Sequence, residues 1–387
     1  MLDPIPPPPP WLQDLVRPIA ERWSLPTLPY HIHEVVLSFT LYQFIQSVVA
    51  PRLSTWLFPK LYPNFSRRTK LGWDIHVVSL TQSTLISALA LWVIFVDEER
   101  RSMTPVERVY GYSGACGLIQ AMATGYFLWD LIISVRHVSV FGVGMLFHAI
   151  SALLVFSLGY RPFVNYYAPT FILYELSTPF LNFHWFFDKL NMTGSRAQWY
   201  NGMTLLSVFF SCRLIWGSWN SFTVFSDIYK AFHISDSSVP LSSADFYSLV
   251  FSTRNSTMCL DDSCIKANAE VAQFADFSAT GTPLWLAFTY LGSNTVLNSL
   301  NWYWFSKMID AVLKRFRGED LPAAEKIAPP ESIEGDANPI ILEAAATSEQ
   351  KESAVTTGNL EDNSKTSTNT IQTTPINGGS GARRRKA

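Results

Sequence analysis

Apolar runs of about 20 residues, the length a helix needs to cross a hydrocarbon core, recur from Glu34 onward between charged or Pro-rich breaks. The pattern predicts an all-α, polytopic transmembrane bundle of roughly seven spans. They fall at residues 34–49, 73–96, 111–135, 138–158, 163–187, 200–225 and 283–308. Arg136 and His137 leave so short a turn between the third and fourth spans that these two must be antiparallel neighbours. Pro169 and Pro179 remove backbone donors from the fifth, where a kink is expected.

The flanks read differently. Residues 1–33 are Pro-rich and lack the basic-then-apolar order of a cleavable signal peptide. Pro6 to Pro10 predict a short polyproline II rod, and Trp11, Leu12, Leu15, Val16 and Ile19 follow at the spacing of an interfacial helix. Residues 34–69 hold the first span and a basic connection; residues 70–317 form the main membrane domain, whose longest connection is 226–282. Residues 318–387 contain no Phe, Trp or Tyr and cannot bury enough apolar surface to offset their ordering entropy, so a disordered tail is expected. It ends in Arg383, Arg384, Arg385 and Lys386, either a solubilising end, a contact for anionic headgroups or a retrieval signal.

Composition sharpens the class. Charged residues make up 16% of the chain, against roughly 25% in soluble domains, which excludes an ordinary soluble enzyme. The 13 Trp, 15 Tyr and 27 Phe suit aromatic belts at membrane interfaces. A net charge of -2 gives no global pull toward nucleic acid, and membrane lipids are the expected partners. Four cysteines are too few for a disulfide scaffold.

Basic residues near span ends set the orientation. Arg52, Lys60, Arg67, Arg68, Lys70, Arg136, Lys189, Arg196, Lys314, Arg315 and Arg317 occupy the odd-numbered connections and the segment after the last span, which should face the cytosol together with the C-terminus. Arg100, Arg101 and Arg108 lie on the other side among Asp97, Glu98, Glu99 and Glu107. That side also carries the sequon at Asn255 and the close pair Cys259 and Cys264, a disulfide candidate in an oxidising lumen. Sequons at Asn64 and Asn191 fall on the cytosolic side, where they would be inert.

Ionisable groups inside a span cost about 2.5 to 3.5 kcal/mol on insertion scales, so they turn toward a cavity or a partner. His148, Glu175 and Arg213 lie near the centres of the fourth, fifth and sixth spans and are expected to converge. Glu175 and Arg213 then either balance each other beside a working His148 or merely lock the helices. Asp130 sits about five residues, roughly 7.5 Å, from the cytosolic end of its span, and His137 follows on the same helical face. There Asp130 would fix a histidine tautomer, cap the turn, hold a substrate amine or pair with Arg136. Polar stripes run along His76, Ser79, Ser83 and Ser87, along Gln120 and Thr124, and along Asn294, Asn298 and Asn301, as a lined chamber or interhelical hydrogen bonding would require. No phosphate loop, zinc spacing or nucleophile elbow is present, and His148 with Asp130 or His137 lacks a third metal ligand, so neither cofactor nor metal is expected. No internal repeat supports a transporter of inverted halves, and no helix-pairing motif argues for a dimer.

The run Gly125-Tyr126-Phe127-Leu128-Trp129-Asp130, then His148, then Tyr174-Glu175-Leu176-Ser177-Thr178-Pro179-Phe180-Leu181-Asn182 and Trp185-Phe186 resembles the TLC-domain family, over residues 70–315. The Glu175 to Asn182 segment resembles its branch outside the ceramide synthases. The resemblance implies an endoplasmic-reticulum helix bundle around a lipid-sized chamber, a cytosolic C-terminus and a part in lipid homeostasis. It places His148 and Asp130 by position and matches Glu175, Asn182 and Arg213 to the broader branch. Ceramide synthases need two adjacent histidines, whereas here the pair reads Phe147-His148. Helical neighbours point about 100° apart, so one imidazole is missing.

Two readings remain open. In one, His148 is general base or acyl acceptor, Asp130 orients it, and Arg67, Arg68 and Lys70 attract acyl-CoA as substrate for N-acylation of a sphingoid base or other lipid. In the other, the chamber holds an acyl lipid without chemistry, as a sensor, carrier or cargo receptor does.

Overall fold

The computed structural model describes residues 3–161, 163–235, 274 and 283–316. They form helices and no strand, so the protein is all-α among the described residues. Each segment expected to be helical is helical, with the bounds moved by local chemistry. Helix α1 spans Pro10–Trp23, its proline at the first turn where no backbone donor is needed. Helix α2, Leu28–Phe44, continues through a π-helical turn, Ile45–Val49, into α3, Ala50–Leu57. Pro51 begins α3 without an N–H, and the π turn accommodates the break in the ladder.

Helix α4, Arg67–Val96, starts where Ser66 caps the Thr69 amide. Two short helices follow, α5 at Glu98–Ser102, capped by Asp97, and α6 at Pro105–Tyr110, held by a capping box between Thr104 and Glu107. Helix α7 is Gly114–Arg136 and α8 is Val138–Leu158, separated at His137 as the short turn requires. Helix α8 bends at Gly142, whose φ of 79° is open to glycine and strained for other residues.

The fifth expected span departs most from a regular helix. It divides into a 3-10 turn at Asn165–Tyr167, α9 at Ala168–Ile172, a second 3-10 turn at Leu173–Ser177 and α10 at Thr178–Lys189. Pro169 and Pro179 each sit in the first turn of a new helix, so they begin two helices rather than kink one. Helix α11, Arg196–Phe209, passes through a π turn at Phe210–Ile215 into α12, Trp216–Ser235, which runs ten residues past the expected span end at Phe225. Helix α13 covers Leu284–Phe316.

The stretches Leu28–Leu57, Arg67–Val96 and Pro105–Arg136 are long and apolar enough to cross a membrane. Helix α7 is the most buried and packs chiefly on α2 and α8. Small residues set that closeness: a Cβ on Gly125 would come 2.5 Å from the Val35 carbonyl oxygen, and one on Gly117 would reach 2.3 Å from the His31 ring. Ile86, Ala90 and Val93 of α4 pack on Ile119, Ala123 and Phe127 of α7 to form the largest apolar cluster. At the end where α7 begins, Asn165 accepts from the Ser113 amide, and Tyr167 donates to Asp227, 3.4 Å from Arg108.

Candidate functional site

Arg213 is carried by the π turn between α11 and α12, where the widened ladder turns its guanidinium onto the second 3-10 segment. Its Nε donates to the Tyr174 carbonyl at 2.9 Å and to Ser177 Oγ at 3.1 Å. Nη1 reaches Asn301 Oδ1 at 3.3 Å, and Nη2 reaches Thr178 Oγ1 at 3.3 Å. Glu175 Oε1 lies 4.0 Å from Nη2, the outer limit of an ion pair. The guanidinium thus braces three segments, and the Glu175 carboxylate is its loosest contact.

The field of Glu175 acts on Asp130 and on His148, and that of Arg213 acts on His148. Glu175, on the second 3-10 segment, therefore lies within electrostatic reach of Asp130 and of His148, and Arg213 within reach of His148. The imidazole of His148 is exposed and has no hydrogen-bond partner among the described residues. Asp130 is half-buried and likewise has no hydrogen-bond partner among the described residues. Phe147 is 62% exposed and belongs to a different face of α8.

A second polar group adjoins the first. Asn182 is buried on α10; its Oδ1 lies 2.7 Å from His76 Nδ1, and its amide donates to Ser79 Oγ at 3.1 Å and to the Thr178 carbonyl at 3.0 Å. The His76 ring stacks on Trp185 at 4.1 Å. Thr178, whose carbonyl accepts from Asn182 and whose Oγ1 accepts from Arg213, joins the two groups.

Other expected residues separate. His137 follows the end of α7 with its ring against Phe141, and among the described residues no hydrogen bond or ion pair joins it to Asp130. Ser83 turns back on the Ser79 carbonyl. Asn294 and Asn298 keep buried, unpartnered carbonyl oxygens on α13, while Asn301 serves Arg213. Arg67 is exposed; Arg68 donates to the Val140 carbonyl at 3.3 Å, and Lys70 to that of Pro63 at 2.7 Å. Asn255, Cys259 and Cys264 lie outside the described residues. A separate open apolar groove of about 460 Å³, lined by Phe210, Leu214, Trp219, Phe222 and Trp302 among others, includes none of the expected residues.

The sequence reading missed a third cluster, at the start of α2. His31 Nδ1 lies 2.8 Å from Glu34 Oε2 and 3.3 Å from Asp3 Oδ2, and its Nε2 meets the Tyr112 hydroxyl. The i, i+3 spacing of His31 and Glu34 at the head of an apolar helix is the signal that would have found it.

Residues 72–310 match the family model of the TLC domain. An uncharacterised TLC domain-containing protein of Schizosaccharomyces pombe is 36% identical over 308 residues, 80% of this chain and 88% of its own. Topoisomerase I damage affected protein 4 of Saccharomyces cerevisiae is 32% identical over 206 residues, 52% of this chain and 72% of its own. TLC domain-containing protein 4 of Homo sapiens is 30% identical over 184 residues, 46% and 67% respectively. These homologues are TLC domain-containing proteins and not ceramide synthases. No solved structure matches.

Proposed function

The chain belongs to the TLC-domain family, and from that premise we propose that it binds an acyl lipid in an intramembrane chamber and acts in lipid homeostasis at the endoplasmic reticulum. The observation that carries this reading is His148: an exposed imidazole with no hydrogen-bond partner among the described residues, on the apolar helix α8, which packs against the helix that carries Asp130. An imidazole left without a partner on such a helix is set for a ligand, because an ionisable group facing hydrocarbon alone is costly. Asp130 and Glu175 would meet the amine or hydroxyl of a lipid headgroup, with the chain lying along the apolar walls. Seven spans with a cytosolic C-terminus complete the proposal, resting on the distribution of basic residues.

Mass spectrometry of lipids retained by the purified protein tests it. A defined acyl-lipid class in wild type supports the reading, and an empty protein counts against it. The acyltransferase reading has the free His148 in its favour and the missing second imidazole against it. Microsomes given acyl-CoA and a sphingoid base decide between them: turnover abolished by His148→Ala makes the protein an enzyme, whereas bound lipid without turnover makes it a binding protein.

A further inference from the structure

The cluster at the head of α2 lies outside the segment that matches the TLC domain, apart from Tyr112 and Gly117 of the neighbouring wall. One donor atom each from Asp3, His31 and Glu34 stands within 4.8 Å of the other two. A tetrahedral zinc ion with bonds of about 2.0 to 2.2 Å holds its donors about 3.3 to 3.6 Å apart. The His31–Asp3 separation of 3.3 Å falls there, and the 2.8 Å between His31 and Glu34 is a hydrogen bond that would open to admit the ion. Glu34 is fully buried, yet its Oε1 has no hydrogen bond. The ring nitrogens of His33 are likewise buried and without hydrogen bonds, and Nε2 lies 3.9 Å from that same Oε1, so a second imidazole borders the cluster. Neither carboxylate pairs with a Lys or Arg among the described residues. Two carboxylates and one imidazole, with Glu34 fully buried and Asp3 half-buried, gather donors that a divalent cation would neutralise.

We infer that Asp3, His31 and Glu34 form a binding site for a divalent transition metal of the zinc class, which fastens the segment before α1 onto α2. Imidazole and carboxylate donors suit zinc over calcium or magnesium, whose sites are built of oxygen alone. Tyr112, bonded to His31 Nε2, orients the ring so that Nδ1 faces the two carboxylates. The close approach of Gly117 leaves that ring no room to turn away.

The experiment uses the full chain in detergent, its affinity tag removed, and Zn²⁺ itself as the probe. Elemental analysis should find one zinc per chain, and competition with a chromophoric chelator should show Asp3→Asn and Glu34→Gln weakening binding by about tenfold or more. Added Zn²⁺ should raise the thermal midpoint of wild type and leave that of Asp3→Asn unmoved. Should Glu34→Gln fail to fold, X-ray absorption on zinc-loaded wild type still decides, through a shell of nitrogen and oxygen with imidazole scattering. Absence of retained metal with no response to added Zn²⁺, or variants that bind as wild type does, overturns the site.

Discussion

The two histidine–carboxylate clusters use similar side chains to opposite ends. Around His31 both ring nitrogens are engaged, by Glu34 and by Tyr112, and Glu34 is sealed from solvent with one carboxylate oxygen left without a hydrogen bond. Around His148 the guanidinium of Arg213 is fully engaged, while the imidazole and the Asp130 carboxylate touch no polar partner among the described residues. The difference lies in how completely the bonding capacity of each group is used. The engaged imidazole of His31 is a built-in part of its cluster, and the unpartnered imidazole on α8 has capacity left for something else.

The largest expected effect comes from Arg213→Leu, which strands Glu175 and frees the 3-10 segment from Asn301; a loss of about 3 kcal/mol is expected in unfolding followed in detergent. Retained stability would mean that the brace is dispensable. Next, Gly117→Ala forces the His31 ring aside and should cost about 1 to 3 kcal/mol while leaving lipid retention unchanged. Loss of bound lipid in that variant would join the two clusters that the structure keeps apart. His31→Ala leaves the fully buried Glu34 without its bond and should cost about 1 to 3 kcal/mol in the same melts. The smallest change in stability, within about 0.5 kcal/mol, is expected for His148→Ala, which breaks no hydrogen bond. An equal loss in the last two variants would erase the contrast.

Much of the fold was legible because its signals are local. Helix α8 follows from an apolar run bounded by Arg136–His137, and α4 from a capped run of the right length. The fifth segment was less so, since a proline reads equally as a kink or as a first turn, and only its packing partners choose. Neither π turn leaves a mark in hydrophobic periodicity. Of the site, the nearness of Glu175 to Arg213 was readable from their similar depth in the pattern, whereas the separation of Asp130 from His137 depends on how α7 is rotated. The grouping around His31 escaped because Asp3 reaches it from a segment with no periodic signal, and proximity in space is all that joins them.

The π turn at Phe210–Ile215 makes length as informative as identity. Relative to an unbroken α-helix it adds one residue, which swings everything after it by about 100°. Arg213 meets Asn301, and α12 presents Asp227 to Tyr167, only because both sides of that offset are satisfied together. A relative one residue shorter in this stretch would have to give up one of the two partnerships, so an alignment gap there signals altered geometry even where arginine and aspartate are both retained.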